Sequence, residues 1–420
     1  MGKPALRASR LIIVRPNGRR IVAALFAASD WRIALFLLVA TCLWGPSAGA
    51  APYLPADDAE VLENGLPNSD PRLRQMRALA AELAARPDDL ATAMRLANNQ
   101  LAMGVAEADP RFVGYARGTL ARWWNEGDAT PPLRILRARI LQAQHDFAPA
   151  AADLRGALRE APGAAQALLV LEAVDEVTGD LAEAKAACIR LADVRPGLAA
   201  AACAASVDSL TGKAKAGENA LADAVARNPT ADPSQLLWAL TILGEIAIRA
   251  DDSAAEQYLK RALALDSRNV YALTVYADYL LDRARPTEVL RRLRGFERVD
   301  ALYLRLALAA QMTGDPRFPA YRDDVAARFE AARRQGDRLH LRDASRFALE
   351  IEHDSARALE FAQQNWAIHK SPYDARALLA AAIARHDPAA ARNVIDWVAT
   401  TGLEDRTIER LISALRQPAG

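Results

Sequence analysis

The sequence predicts an all-α protein made of antiparallel helix pairs. From Pro71 onward, segments of ten to sixteen residues place apolar side chains at positions i, i+3, i+4 and i+7, the period of a helix with one buried face. No segment alternates apolar and polar residues for long, so strands are not expected. The helical segments recur in pairs at a spacing close to 34 residues, which indicates a repeat architecture.

The repeated unit is visible in two consecutive turns. His145-Asp146-Phe147 is followed 34 residues later by Gly179-Asp180-Leu181, with small residues at matching positions beyond both. Gly accepts a left-handed backbone freely and His tolerates it better than most residues, so this position should end the first helix of each pair. The following Asp should cap the second helix, as in the later turns His353-Asp354 and His386-Asp387.

These features resemble the tetratricopeptide repeat family, in its exported bacterial form. The resemblance covers about residues 89–400, although single repeats are degenerate. It implies a right-handed superhelical solenoid of roughly nine helix pairs, with end helices at 71–86 and 404–416. It also implies a concave face that is lined by the first helix of each pair and binds peptides or proteins.

The resemblance further indicates which first-helix residues should face this groove. The predicted partner-binding residues are Asn98, Arg139, Gln142, Glu176, Glu245, Asp278 and Asp282. The set becomes acidic toward the middle of the chain. An ordinary solvated helix face is the alternative interpretation, and the sequence leaves open whether the groove is accessible.

The first fifty residues differ from the rest. Residues 1–32 hold seven basic residues against one acid, and an apolar run from Ile33 to Trp44 precedes small residues that end at Ala50. This layout predicts a secretory signal at 1–50 that is cleaved between Ala50 and Ala51, while an uncleaved anchor is the alternative. Residues 51–70 are rich in Pro and Asp and should form an extended lead-in to a helical solenoid at 71–416.

No combination of residues predicts catalysis, a bound metal or a cofactor. His145, His353 and His386 are explained by their turns, which lie along a line in a solenoid and so should not converge. His340 and His369 have no ligand at helical spacing, and no zinc-protease, nucleophile-elbow or phosphate-loop motif occurs in the sequence. We therefore expect a non-catalytic protein.

The two cysteines outside the N-terminal segment are predicted to form a disulfide. Cys188 lies on a second helix and Cys203 on the following first helix, almost equidistant from the turn at Arg195-Pro196. Residues placed in this way lie at the same height in an antiparallel hairpin, and their Ala-rich surroundings allow the helices to approach closely. An exported protein meets an oxidising compartment that permits the bond. Two free buried thiols are the alternative.

These features predict an interaction scaffold in the bacterial periplasm or cell envelope, which binds an unidentified protein or peptide through the groove. A carrier or assembly factor for an envelope polymer or a secretion machine is the alternative; aromatic groove residues would favour a glycan ligand. The chain beyond residue 50 is mildly acidic with interspersed charges, so no nucleic-acid partner is expected. Membrane contact is expected only through the N-terminal segment, if that segment stays uncleaved and holds the protein at the inner membrane, facing the periplasm.

Export is testable at the mature N-terminus. When a Gram-negative host expresses the full chain, we expect the product outside the cytoplasm with Ala51 as its first residue, because signal peptidase cleaves after small residues of this kind. N-terminal sequencing of the fractionated product checks this. A membrane-bound product beginning at Met1 would replace the signal with an anchor, and a soluble full-length chain in the cytoplasm would contradict both.

Overall fold

The computed structural model describes residues 70–336 and 338–416, and this part of the chain is helical without any strand. The predicted signal at 1–50, with its cleavage site between Ala50 and Ala51, and the lead-in up to residue 69 lie outside the described residues. No helix within the described ranges is long and apolar enough to cross a membrane.

Twenty α-helices occur in the described residues, and a short 3-10 helix covers Ala121–Trp123. The helices are α1 (Pro71–Ala85), α2 (Leu90–Glu107), α3 (Pro110–Thr119), α4 (Pro131–Ala143), α5 (Phe147–Glu160), α6 (Ala165–Thr178), α7 (Leu181–Val194), α8 (Leu198–Leu210), α9 (Ala214–Arg227), α10 (Pro233–Arg249), α11 (Ala254–Leu265), α12 (Val270–Asp282), α13 (Pro286–Arg292), α14 (Asp300–Thr313), α15 (Phe318–Arg334), α16 (Leu341–Glu350), α17 (Ser355–Ile368), α18 (Pro372–Ala384), α19 (Arg392–Thr401) and α20 (Arg406–Leu415).

The helices form nine consecutive pairs, from α2–α3 to α18–α19, between the end helices α1 and α20. The two helices of a pair pack on each other, and each pair packs on the next; in the last pair α18 packs mainly on α20. The predicted all-α solenoid, with roughly nine helix pairs and two end helices, is confirmed. Such an array is stable only through stacking, because no pair buries its apolar face alone.

The turns within the pairs adopt the backbone conformation that the sequence pattern predicts. The residues that precede the four aspartates expected to cap are left-handed, with φ of 56° at His145, 89° at Gly179, 57° at His353 and 53° at His386, although Asp387 does not cap the following helix α19. The Asp354 carboxylate accepts a hydrogen bond from the backbone N–H of Arg357 at 3.0 Å and so caps α17. Histidine therefore occupies these turns because it tolerates the left-handed backbone conformation.

Three local details differ from the sequence pattern. Asp146 makes no side-chain hydrogen bond that caps α5. In the turn before α11, Asp251 takes the left-handed position with a φ of 57°, and the carboxylate of the next residue, Asp252, accepts from the backbone N–H of Ala254 at 2.8 Å. Residues 105–111 interrupt the repeat spacing in the sequence but form no loop, because α2 continues to Glu107 and the chain turns directly into α3.

The solenoid closes on itself. The segment between α17 and α18 reaches the end of α6, where the backbone N–H of Lys370 donates to the Val177 carbonyl at 2.6 Å. The ammonium group of Lys370 donates to the Thr178 carbonyl at 3.0 Å. These bonds join residues almost half the chain apart, so seven consecutive pairs, from α6 to α19, surround a central space.

A backbone contact and an apolar contact continue this seam. A Cβ atom on Gly212 would lie 3.3 Å from the carbonyl oxygen of Gly402, so the lack of a side chain at Gly212 favours the close approach of the two turns. Leu181 and Leu210 pack into the apolar cluster formed by α16 to α20. The seam therefore combines hydrogen bonds with burial of apolar surface.

Replacing Ala184 with leucine tests the packing within a pair. Ala184 is fully buried on α7, so a larger side chain must strain the helix contact, at a cost of about 1–3 kcal/mol. Urea unfolding followed by circular dichroism measures this cost. Ala182→Leu on the exposed face of the same helix is the control. Equal unfolding midpoints for Ala184→Leu and the unmodified chain would contradict the assigned packing.

Candidate functional site

Closure of the chain creates a central cavity of about 850 Å³. Its walls come from the first helices of successive pairs, which is the face that the family resemblance assigned to binding. Tyr271 lies in this wall and keeps 57% of its surface exposed, so the cavity communicates with solvent. A cavity of this size, lined by convergent polar groups and aromatic rings, is the default candidate for a ligand site.

Three of the seven predicted groove residues line this central cavity: Gln142, Glu176 and Glu245. Each comes from a different first helix, α4, α6 and α10 respectively. An open solenoid would spread these side chains along a groove. Closure brings them to one enclosed space.

The other four predicted groove residues lie elsewhere. Asp278 and Asp282 line a smaller neighbouring cavity of about 190 Å³. Asn98 and Arg139 belong to neither lining, and the guanidinium of Arg139 donates to the Asn98 side-chain oxygen at 2.7 Å. This pair links α2 to α4 outside the closed part of the solenoid.

The Asp278 carboxylate accepts hydrogen bonds from two arginines of the protein itself. Arg305, only 2% exposed, donates to both of its carboxylate oxygens at 2.9 and 2.8 Å, and Arg346 donates at 2.5 Å. Burial would raise the pKa of Asp278, but these guanidinium groups outweigh it and hold the pKa well below its usual range. Asp278 therefore joins α12, α14 and α16 and is not free to bind a partner.

One wall of the central cavity carries buried carboxyl groups. Glu172 is 3% exposed, and burial together with the nearby Glu176 raises its pKa well above the usual value. Glu172 shares a hydrogen bond with Glu176, which also accepts one from the Ser206 hydroxyl at 2.8 Å. Burial and the neighbouring carboxylate therefore both favour the protonated form of Glu172.

Glu245 is approached by two tyrosines. The Tyr271 hydroxyl donates to Glu245 at 2.7 Å, and Tyr373 approaches from α18. Burial raises the pKa of Glu245, opposed by the hydrogen bond from Tyr271 and by the positive charge of Arg249. Partial exclusion of water within the cavity, together with this carboxylate, raises the pKa values of Tyr271 and Tyr373, so both hydroxyls remain donors.

Two arginines also line the central cavity. Arg342 lies 3.9 Å from Asp374 and 3.8 Å from Asp343, longer than the contacts of the neighbouring Arg305. Arg249 is 8% exposed and donates to the Ser209 hydroxyl at 2.6 Å, while its Nε has no hydrogen-bond partner in the described residues. The lining of the cavity therefore carries both carboxylates and guanidinium groups, and Arg249 lies one helical turn from Glu245 on α10.

Closure brings one turn histidine next to a histidine outside the turns. The rings of His145 and His369 lie 5.5 Å apart at the cavity wall, a contact that the sequence pattern did not predict. Burial, and then the nearby His369, lowers the pKa of His145 to about 4, which keeps its ring neutral at physiological pH. His369 instead binds Asp374 through Nδ1 at 2.6 Å.

A serine, a histidine and an aspartate meet at this point without forming a nucleophilic triad. The Ser371 hydroxyl donates to Asp374 at 2.5 Å, and the His369 ring contacts the same carboxylate. Nucleophilic catalysis needs the hydroxyl hydrogen-bonded to the imidazole, with the carboxylate on the other ring nitrogen. Here both groups bind one carboxylate, so the hydroxyl is not activated.

The predicted disulfide pair lies behind the acidic wall. The Cys188 and Cys203 sulfurs are 2.02 Å apart and their Cα atoms 5.6 Å apart, so the structure bonds them across α7 and α8. A carboxyl oxygen of Glu172 lies within 4.8 Å of both sulfurs. Because the sulfurs are bonded to each other, neither is the thiolate that a metal requires, and we assign no metal site to these residues.

Sequence reasoning missed most of the aromatic and basic lining. Tyr271, Tyr373, Arg249 and Arg342 all line the cavity, and Trp238 both packs against the apolar core and lines the cavity. Their positions on first helices were the available signal. Nothing in the sequence indicated that α10 and α18 would lie on opposite sides of one space.

No protein-family model matches the sequence, and no curated protein matches it. Among solved structures, the chain is similar to the human IFIT1 dimer with m7Gppp-AAAA, with 12% identity, coverage of 83% of this chain and 87% of that chain, and a TM-score of 0.41. It is also similar to yeast Tom70, with 12% identity, coverage of 82% and 84%, and a TM-score of 0.39. A tetratricopeptide repeat protein from Parabacteroides merdae has 16% identity, coverage of 68% and 98%, and a TM-score of 0.31. These likenesses concern the helical fold alone.

Replacing Glu172 with glutamine tests the buried acid. Its pKa is raised on folding, so Glu172 adds stability below its ordinary value of 4.5 and loses it as pH rises toward the folded value. Glu172→Gln should therefore match the unmodified chain near about pH 4 and become relatively more stable above it, by at most about 1.4 kcal/mol per pH unit.

Urea unfolding across a pH series measures this effect. The control is Glu404→Gln, because Glu404 is exposed and should show no such divergence. Parallel stability profiles for Glu172→Gln and the unmodified chain would contradict the assignment of a protonated buried carboxyl.

Proposed function

We propose that the protein is a non-catalytic interaction scaffold of the bacterial periplasm or cell envelope, whose central cavity holds a segment of a protein partner. One observation carries the proposal: closure between Lys370 and Val177 makes the first helices of seven pairs converge on one cavity of about 850 Å³. If the first helices only contacted solvent on this face, nothing would require them to converge on one cavity.

The size of the cavity decides what part of a partner it accepts. Ligand cavities of about 300–1,000 Å³ enclose small molecules or a few residues of a peptide, not a folded surface. The partner would therefore insert an extended segment or a terminus, while the outer helices of the ring remain available for other contacts.

The location is proposed from the sequence and supported by one structural feature. The signal layout at 1–50 favours export to the periplasm, or an inner-membrane anchor facing it. A Cys188–Cys203 disulfide is consistent with an oxidising compartment and is rarely kept in a reducing one.

A second candidate function is a carrier or assembly factor for an envelope polymer, with a glycan in the cavity. Trp238, Tyr271 and Tyr373 favour it, because aromatic faces and carboxylates commonly line sugar sites. The charged lining favours the protein partner, since a neutral sugar would leave these charges without counter-charges.

Site-specific photo-cross-linking tests the proposed function and separates it from the alternative. A benzophenone amino acid replaces Ala173, which lines the cavity, or Ile189, which is 56% exposed on α7 and does not line it. In cells that express the protein natively, we expect an adduct from position 173 that is sensitive to protease. The position 189 variant is the matched control.

Each outcome is informative. A protease-sensitive adduct specific to position 173 supports a protein partner, and an adduct sensitive to glycosidases supports the polymer carrier. Equal adducts from both positions, or none from position 173, would contradict the cavity as the binding site.

A further inference from the structure

The acidic wall of the central cavity carries two carboxylates, Glu176 and Glu245, whose bonds come from hydroxyl groups. Glu176 accepts a hydrogen bond from Ser206, and Glu245 accepts one from Tyr271. Between residues 70 and 416, leaving out 337, no lysine or arginine forms an ion pair with either carboxylate. The negative charge of Glu176 also contributes to the raised pKa of Glu245, which means that the two carboxylates repel each other. A cation between them would relieve this repulsion.

Aromatic rings surround the same carboxylates. Tyr271 and Tyr373 reach Glu245 from different helices, and Trp238 lines the cavity beside them. An ammonium or guanidinium group is attracted to the faces of such rings as well as to carboxylates, and the attraction is larger where water is partly excluded. Rings and carboxylates together favour a cationic group over an anionic or neutral one.

Two further side chains in the lining are buried and incompletely bonded. Arg249 is 8% exposed and its Nε–H donates to no acceptor, while Asp343 is 6% exposed and its Oδ1 accepts from no donor in the described residues. A buried polar atom without a hydrogen bond costs free energy, typically about 1–3 kcal/mol. The missing partners are one acceptor and one donor, which the C=O and N–H groups of a peptide backbone provide.

We propose that the central cavity recognises a peptide segment through a lysine or arginine side chain, which inserts between Glu176 and Glu245 beside Tyr271. The peptide backbone supplies a carbonyl to Arg249 and an N–H to Asp343. This inference rests on the proposed function, because it specifies which chemical feature of the partner enters the cavity.

Charge distinguishes a basic peptide from two other ligands, an acidic peptide and a neutral sugar. An acidic peptide would bring carboxylates against Glu176 and Glu245 and would be repelled. A neutral sugar would bond the polar groups and leave both carboxylates without a counter-ion. A basic peptide supplies a cation to the acidic wall and the aromatic rings, and its backbone supplies the hydrogen-bond partners that Arg249 and Asp343 lack.

Short synthetic peptides test the proposal directly on the protein purified in its exported form. The probes are N-acetylated, C-amidated pentapeptides that differ only at the central residue: lysine, arginine, acetyl-lysine or glutamate; a glucosamine pentamer is the glycan probe. Isothermal titration calorimetry measures each affinity. The lysine and arginine peptides should bind at least about tenfold more tightly than the acetyl-lysine peptide, because a charged hydrogen bond is lost with acetylation.

A double variant assigns the effect to the acidic wall. Glu176→Gln combined with Glu245→Gln keeps the shape and hydrogen-bonding capacity and removes the charge, so it should abolish the preference for lysine over acetyl-lysine. Glu409→Gln, on the exposed face of α20, is the control and should keep the preference. Circular dichroism and thermal unfolding confirm that the variants fold.

Several results would overturn the proposal. These are tightest binding of the glutamate peptide, equal binding of all peptides, a lysine preference that survives in the double variant, or binding of the glucosamine pentamer alone. Protease-sensitive cross-links from position 173 combined with any of these would refute this inference and leave the proposed function standing. Absence of those cross-links would refute the proposed function itself.

Discussion

The hydrogen bond between the Lys370 backbone and the Val177 carbonyl marks the contact on which the arrangement of the molecule depends. A solenoid of helix pairs specifies contacts only between neighbouring pairs, and it can remain open along its length. Here the end of α6 meets the start of α18, and the close approach of Gly212 and Gly402 extends the contact. A concave groove thereby becomes an enclosed cavity.

Enclosure has a consequence for the charges inside. Ion pairs removed from water are stable only when their hydrogen bonds are satisfied, and Arg305 meets this condition by binding Asp278, Asp343 and the Ala301 carbonyl. The acidic wall of the central cavity is different, because burial favours the protonated form of Glu172 and Glu245 accepts a hydrogen bond from a tyrosine. The smaller neighbouring cavity is therefore internally neutralised, and the central cavity retains the capacity to attract a cation.

The sequence predicted the elements of the fold and part of the site. Period and spacing identified the pairs, and the left-handed turns at His145 and His353 followed from residue type alone. Glu176 and Glu245 could be placed on the concave face because they lie on first helices. These features are local, and a repeat encodes them within about 34 residues.

The structural features that the sequence could not predict depend on contacts between distant segments. The engagement of Asp278 by Arg305 and Arg346 requires three helices to be placed relative to one another. The approach of Tyr373 to Glu245 requires the solenoid to close, and small differences in stacking angle, summed over seven pairs, determine whether it does. No single repeat carries that information.

Hydrogen exchange at the amide of Lys370 tests closure most directly. This N–H lies in the connection between α17 and α18, where an open solenoid would expose it to solvent, whereas the closed form bonds it to Val177. The account predicts that it exchanges far more slowly than the amide of Gly163, which lies in an exposed turn. Exchange of Lys370 as fast as that of Gly163 would contradict closure and, with it, the enclosed cavity.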